Sequence, residues 1–376
     1  MKIAIDARMY GEEQTTGIGQ YIKQLTNHLF KIDSENQYIM FMRSPEFDRY
    51  NPPAPNVKKV KVTPRWYTYG EQFKLPSEFK QEKFDLIHYP HFNSPIFYHP
   101  TSVCTIHDIT PLFFPGHKMK SIIRRVGYKT VFKGTLKNAS QIIAVSDSTK
   151  QGLIKHLNIP ETKIKITHEG VDERFKIIEN NGIINKVKER YKITRPFVFY
   201  VGVWRNHKNI ESLISAFEML KTKYDLPHQL VLAGQEDPSY PDIRLKIDSS
   251  PVKNDIITPG FVNNEDLPVL YNAAELLAFP SFIEGFGLIA IEAQNCGCPV
   301  AASNTTSLPE VLNNSALLFD PKNISDIADK IYQIISTPEL QKQLKEKGLQ
   351  NSQRFSWYTC AKQTLAVYNK ILQKQL

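Results

Sequence analysis

In the stretch FIEGFGLIAIEAQ, residues 282–294, two glutamates flank a turn that contains Gly285 and Gly287. Glu284 and Glu292 are eight positions apart with a glycine turn between them, so they are not an i,i+4 pair. The preceding LLAFPS reads as a strand. LIAIEAQNCG reads as a helix that ends at Gly297, with Pro299 beyond it. The turn therefore presents the amides of Phe286, Gly287 and Leu288 at a helix N-terminus, where they and the helix dipole favour an anion. Glu284 lies in the loop before that point, and Glu292 lies about one turn into the helix. Carboxylates accept the hydrogen bonds that paired sugar hydroxyls donate. A ligand ordered sugar, diphosphate, ribose would match loop acid, helix amides and helix acid. The spacing fits equally well a solvent-facing Glu292 and an ordinary loop Glu284, and by itself it leaves both readings open.

The elements that must position these residues fall into two series. A chain of 376 residues suits two domains. KIAIDA, QYIMFM, VKKVKVT, DLIHYP, SVCTIHD and QIIAVS are short apolar runs separated by loops or helical stretches, among them the amphipathic YIKQLTNHLFKI. The pattern restarts with RPFVFYVG, HQLVLAG, DIITPGFV, ELLAFPS and CPVAAS. Such alternation predicts the α/β class, with two doubly wound parallel sheets in tandem. The predicted domains are residues 1–178 and 179–355, joined near IIENNGIINK, where Asn180-Asn181-Gly182 reads as a turn. Ligands bind at the carboxyl ends of strands in such sheets, which predicts a site in a cleft between two facing domains.

Composition narrows the function classes. The apolar share of 41% and charged share of 23% are those of a globular protein. No stretch approaches the length of a transmembrane helix, and the opening MKIAIDARMY lacks the apolar core of a signal peptide, so a cytoplasmic location is expected. Cys104, Cys296, Cys298 and Cys360 have no metal-site spacing and read as buried thiols. Residues 1–175 hold 25 Lys and Arg against 17 Asp and Glu, the remainder 22 against 21, so the basic excess belongs to the first half. Residues 118–137, KMKSIIRRVGYKTVFKGTLK, contain seven Lys or Arg and no acid. Arg125, Lys129 and Lys133 stand at i,i+4 spacing, where like charges repel unless an anionic surface relieves them. This segment is expected to meet anionic lipid headgroups or a lipid-diphosphate acceptor at the membrane periphery; a plain solvated face is the alternative. No recognition motif accompanies the charge, so nucleic acid is not an expected partner.

FPSFIEGFGLIAIEAQNCGCPVAASNTTSLPEVL resembles the signature of retaining nucleotide-sugar glycosyltransferases of family 4, which have the GT-B fold. GIGQY, DLIHYP, TIHDITPLFFP, IIAVSDSTK, HEGVDERF, YVGVWRNHKN, GFVNNEDLPVLYNAAELLAFPS and the closing FSWYTCAKQTLAVY follow in the family's order, so the resemblance covers nearly the whole chain. It implies that a final helix, within 356–376, returns to the first domain. It also implies that Glu284 holds hydroxyls of the donor sugar near the reacting carbon, that Glu292 binds the ribose, and that Phe286, Gly287 and Leu288 receive the diphosphate. Lys208 matches the lysine that neutralises the departing diphosphate. The companion arginine of many relatives is replaced here by His207, and Arg205 is expected to serve in its place.

In the first domain the resemblance assigns His107 to contact with the donor sugar or the acceptor, and Asp108 to fixing its loop. Gly17 and Gly19 would permit close approach of phosphates or acceptor. Val262 would lie near the base, and Glu310 reads as structural. The implied reaction is hexosyl transfer with retention, without cofactor or metal, from a nucleotide diphosphate sugar to a glycan or lipid-linked acceptor. The W-x-x-H-K-N form resembles mannosyltransferases, which makes GDP-mannose the expected donor. Transfer from UDP-linked or other sugars, a nucleotide-sugar epimerase, and a non-catalytic nucleotide-sugar-binding protein are the alternatives.

Overall fold

The computed structural model describes residues 1–11, 17–116 and 121–374. The chain divides into two compact units, one made of Met1–Gly170 with Ser356–Leu376 and the other of Val171–Phe355. None of the described helices is long and apolar enough to cross a membrane.

The first unit is built on seven strands: β1 (Lys2–Asp6), β2 (Gln37–Met42), β3 (Val57–Lys61), β4 (Leu86–Tyr89), β5 (Ser102–Ile106), β6 (Gln141–Ala144) and β7 (Ile164–Ile166). They lie in the order β3-β2-β1-β4-β5-β6-β7, and every neighbouring pair is parallel. Central strands such as LIHY and SVCTI are buried along their whole length, as expected where helices cover both faces. The helix Gly17–Ile32 buries Tyr21, Ile22, Leu25, Leu29 and Phe30, a stripe at three- and four-residue spacing.

The helix Trp357–Gln373 belongs to this unit and buries Trp357, Cys360, Ala361, Thr364, Val367, Tyr368 and Leu372. It is tied to the sheet by a buried polar chain. Tyr368 Oη lies 2.6 Å from His88 Nδ1, His88 Nε2 lies 2.8 Å from Thr105 Oγ1, and that hydroxyl lies 3.1 Å from Tyr21 Oη. Burial, and then the nearby His107, press the His88 pKa down to about 3, so this imidazole is neutral and can accept from one neighbour while donating to the other.

The second unit holds β8 (Phe197–Val201), β9 (Gln229–Ala233), β10 (Ile256–Gly260), β11 (Leu276–Phe279), β12 (Val300–Ser303) and β13 (Leu317–Phe319). Their order is β10-β9-β8-β11-β12-β13, again parallel throughout. Pro259 sits in β10, an edge strand, where a missing N–H breaks no ladder. The sheet is covered on one side by helices such as Ile210–Tyr224 and Ile324–Ser336, whose Leu213, Phe217, Ile327 and Ile331 join one core cluster. On its other side Phe197, Phe199, Leu277 and Phe279 pack with Tyr271, Ala290 and Leu308. The α/β class and the two doubly wound parallel sheets read from the sequence are the ones observed. The edge strands β7 and β13, three residues each, escaped the reading.

Each sheet reverses its winding at one place: β1/β4 in the first and β8/β11 in the second. At such a switch point the loops leaving two adjacent strands diverge and open a crevice at their carboxyl ends.

On the β10 side of the second sheet the ends of β8, β9 and β10 approach within contact of one another. Gly202 N–H donates to Ala233 O at 3.1 Å, and Gly234 N–H donates to Gly260 O at 2.8 Å. Gly234 has φ +123°, and a Cβ there would stand 1.9 Å from Gly202 O. Gly234→Ala is therefore expected to cost at least about 2 kcal/mol, read as a fall in the denaturant midpoint of the second unit. Gly127→Ala is the contrasting change, since no described atom lies within 4 Å of its added Cβ on an exposed helix. It is expected to stabilise by about 0.5–1 kcal/mol.

Candidate functional site

The residues singled out by chemistry in the second unit gather at the β8/β11 switch point. Lys208 follows β8 at the end of a single 3-10 turn, Asn206–Lys208, and Glu284 follows β11. The two loops meet: Lys208 Nζ donates to Glu284 Oε1 at 2.6 Å, with side chains only 16% and 13% exposed. Phe282 N–H also donates to His207 O at 2.8 Å. Asn209, in the left-handed conformation, sends Nδ2 to Pro280 O and Pro321 O and anchors the lysine loop from beneath. The carboxylate loop is braced separately. Glu284 N–H donates to Thr306 Oγ1, and Ser307 Oγ donates to Glu284 O and Phe286 O. A cation and a carboxylate are thus fixed side by side on one rim.

The helix that follows, Leu288–Asn295, starts from Gly287 at φ +107°. A side chain there would be strained by that backbone and would press Leu308 Cδ2 at 2.8 Å. Phe286 and Gly287 with Leu288 form the entry to the helix, where backbone amides and the dipole attract negative charge. Glu292 is half-buried one turn further on. Burial raises the Tyr271 hydroxyl well above its usual pKa, and Glu292's charge adds to that, which places this carboxylate beside Tyr271. The rim therefore offers, in sequence, an acceptor of hydroxyl hydrogens at Glu284, a positive helix end, and a second acceptor at Glu292.

The remaining residues named from the sequence in this unit have other settings. Arg205 is half-exposed and reaches Asp237 with Nε at 3.3 Å. His207 is pressed down to about 4 by burial and by Lys208, so it adds no positive charge. Val262 is 7% exposed and packs in the core cluster beneath the sheet. Glu310 lies in the short helix Leu308–Leu312.

In the first unit His107 follows β5, and both its ring nitrogens are engaged. Nε2 donates to Pro90 O at 2.9 Å, and Nδ1 lies 2.9 Å from Glu169 Oε1. Burial acts to lower the His107 pKa, but the hydrogen bond and charge of Glu169 and the Pro90 carbonyl outweigh it, and the pKa is raised. The imidazole is held in one position and its charged form is favoured, with Tyr21 edge-on at 4.6 Å. Asp108 Oδ1 accepts from Thr110 N–H at 2.7 Å and fixes the loop. Gly17 and Gly19 open the helix Gly17–Ile32, while residues 12–16 of the same loop lie outside the described residues.

Sequence reasoning missed the supports. Glu169 is 62 residues from His107, and Thr306 is 22 from Glu284; neither separation leaves a local pattern. Thr306 holds φ +51°, a costly conformation for a β-branched residue. Tyr200 was also missed. Its hydroxyl is fully buried without a partner among the described residues, and burial followed by Glu284's charge raises its pKa.

Comparison with known proteins follows the same division. The model of the glycosyl transferases group 1 matches residues 183–351, and that of glycosyltransferase family 4 matches residues 15–175. The chain is 30% identical to O-antigen chain mannosyltransferase B of Escherichia coli over 282 residues, 74% of this chain and 73% of that protein. It is likewise 30% identical to the serotype-specific mannosyltransferase WbdA of Escherichia coli over 275 residues. That match takes in 72% of this chain but only 34% of the longer WbdA. In fold it is similar to sucrose-phosphate synthase from Thermosynechococcus elongatus, with a TM-score of 0.79, 22% identity and 99% of each chain covered.

The raised His107 pKa fixes the sign of a pH dependence. Its contact with Glu169 contributes stability that is fully present below the unfolded value of 6.5 and is lost as pH rises through the folded value. The stability difference between the protein and His107→Gln, measured by thermal melts, is therefore expected to be larger at about pH 6 than at about pH 8.5.

Proposed function

We propose, for a chain that belongs to the glycosyl transferases group 1 and glycosyltransferase family 4, that its reaction is the transfer of mannose from GDP-mannose to a glycan or lipid-linked acceptor, with retention at the anomeric carbon. The chain is a glycosyltransferase, with the paired Rossmann-like units of the GT-B class. The observation that carries the finer reading is the Lys208–Glu284 pair at the mouth of the helix Leu288–Asn295. The choice of mannose is supported by the names of the bacterial relatives.

In this reading the diphosphate lies at the Phe286–Leu288 turn, Glu284 accepts hydrogen bonds from the sugar, and Glu292 accepts them from the ribose. As the glycosidic bond to phosphate breaks, negative charge grows on the departing oxygen. Lys208, seconded by Arg205 and the helix dipole, stabilises that charge without a metal ion. The departing phosphate oxygen then takes the proton of the acceptor hydroxyl arriving on the same face. His107 presents a fixed imidazole on the first unit, and Gly17 and Gly19 leave room for the approaching group. Val262 remains a packing residue below the base.

Peripheral attachment to an anionic membrane is part of the same proposal. On the helix Ile122–Asn138, Ile122, Ile123 and Val126 are 77%, 79% and 57% exposed, next to exposed Arg124, Arg125, Lys129 and Lys133. Lys118 and Lys120 of this segment lie outside the described residues. Apolar side chains among cations suit a lipid interface, with each basic residue contributing about 1 kcal/mol near anionic headgroups.

Three measurements check these statements. A thermal-shift screen without metal is expected to single out GDP and GDP-mannose over UDP, ADP and dTDP and their sugars. Ligand at 100 times its dissociation constant adds about 2.7 kcal/mol, and this shift should be lost in Glu292→Ala. Lys208→Met is expected to lower kcat about a hundredfold to a thousandfold, measured on protein shown by a thermal melt to remain folded at the assay temperature. In flotation, the protein should rise with anionic vesicles at low salt, and the triple change Arg125→Glu, Lys129→Glu, Lys133→Glu should leave it at the bottom.

A further inference from the structure

The cations of the β8/β11 rim are already matched by carboxylates of the chain. Lys208 Nζ donates to Glu284 Oε1 at 2.6 Å, and Arg205 Nε donates to Asp237 Oδ2 at 3.3 Å. His207 lies between these cations in sequence and is pressed down to about 4, first by burial and then by Lys208, so it adds no charge. A diphosphate arriving at the rim therefore finds no spare cation in the lysine loop. The helix amides attract it, but its charge is neutralised only by exchange, in which it takes a cation and releases that cation's carboxylate.

The two carboxylates differ in what release costs. The Arg205 and Asp237 side chains are 49% and 23% exposed, and Asp237 Oδ1 also accepts from Ser239 N–H at 3.0 Å. Water and that amide serve Asp237 once Arg205 turns away. The Lys208 and Glu284 side chains are only 16% and 13% exposed. Among the described residues Lys208 is the only hydrogen-bond donor to the Glu284 carboxylate, and the buried Tyr200 hydroxyl makes no bond to it. The loop is also pinned. Glu284 N–H donates to Thr306 Oγ1 and Glu284 O accepts from Ser307 Oγ, each at 3.0 Å, which keeps the carboxylate from swinging out to water. Deprived of Lys208, Glu284 becomes a mostly buried charge without a partner, which is strongly unfavourable.

Sugar hydroxyls relieve that charge, because they donate to a carboxylate and carry no charge of their own. A hexose joined to the diphosphate brings them to Glu284 as the phosphate engages Lys208.

We propose that Glu284 is the residue by which the rim tells a nucleotide sugar from the nucleotide diphosphate that remains after transfer. The intact donor exchanges both partners at once, phosphate for Glu284 on the lysine and hydroxyls for Lys208 on the glutamate. The spent diphosphate satisfies the lysine alone. It leaves Glu284 unpaired beside added negative charge, so it is held weakly and departs. This role rests on the donor reading, which places the sugar at Glu284, and adds that the same carboxylate opposes the product.

Isothermal titration calorimetry on the full chain, with GDP and with GDP-mannose, tests it. The unaltered protein is expected to bind GDP-mannose more tightly than GDP. Glu284→Gln keeps an oxygen that accepts from hydroxyls but removes the charge, so it is expected to bind GDP about tenfold more tightly and GDP-mannose no more tightly than before. Asp237→Asn removes an equal charge from the exposed pair and is expected to shift the two ligands alike, which separates pairing at Glu284 from net charge. GDP bound by Glu284→Gln no more tightly than by the unaltered protein would overturn the role, as would a preference of the unaltered protein for GDP. The second result needs no variant, so it decides the matter even if Glu284→Gln does not fold. Either result, with both ligands bound, leaves the donor reading standing. Binding of neither ligand to the unaltered protein would contradict that reading and this role with it.

Discussion

Every strand in both sheets runs parallel to its neighbours, and that constraint decides where chemistry can occur. Parallel strands send all their outgoing loops to one rim, and the helices that return the chain cover both faces. Nothing but the rim is then left to present polar groups in a concave setting. Within each rim the winding reverses once, at β1/β4 and at β8/β11. Those two places hold Arg8 with Asn93 in one unit and Lys208 with Glu284 in the other. The same topology, built twice, yields a lysine–glutamate pair in one unit and a buried guanidinium shared by two carboxylates in the other.

What makes these groups usable is that they are held rather than merely near. A mostly buried ammonium and carboxylate would lose much of their value if either loop moved. Both loops are pinned by hydrogen bonds that come from elsewhere in the fold, from Asn209 on one side and from Thr306 and Ser307 on the other. The first unit follows the same principle with different parts. His107 is clamped between Glu169 and the Pro90 carbonyl, and the polar chain Tyr368–His88–Thr105–Tyr21 ties the last helix to the strands beneath it. Burial lowers the pKa of both histidines, but His107 ends raised because Glu169 and the Pro90 carbonyl oppose it, while His88 has only hydroxyl partners and stays lowered.

Legibility in the sequence tracks the range of the interaction. Runs such as KIAIDA, HQLVLAG and ELLAFPS announced buried strands because their signal lies in consecutive residues. The glutamates around Gly287 were legible because a turn, a helix start and two carboxylates fall within a dozen positions. IKI and LLF were not, because three residues of mixed burial at a sheet edge carry no period. Partners joined across long stretches were invisible as well. Arg8 and Glu71 are 63 residues apart, and Tyr368 and His88 are 280 apart. Sequence therefore displays the groups that could react more readily than the groups that hold them, since reactivity is a property of residue type and support is a property of topology.

The central claim is that the β8/β11 rim of the second unit holds a nucleotide sugar across Glu284, the Phe286–Leu288 turn and Glu292. Hydrogen exchange of the backbone amides, with and without saturating GDP-mannose, tests this most directly, because ligand contact slows local opening where it occurs. The account predicts added protection concentrated in residues 202–209 and 282–292 within the second unit, abolished together by Glu292→Ala. Protection absent from both segments, or appearing only in other loops of a protein that demonstrably binds the nucleotide, would contradict it.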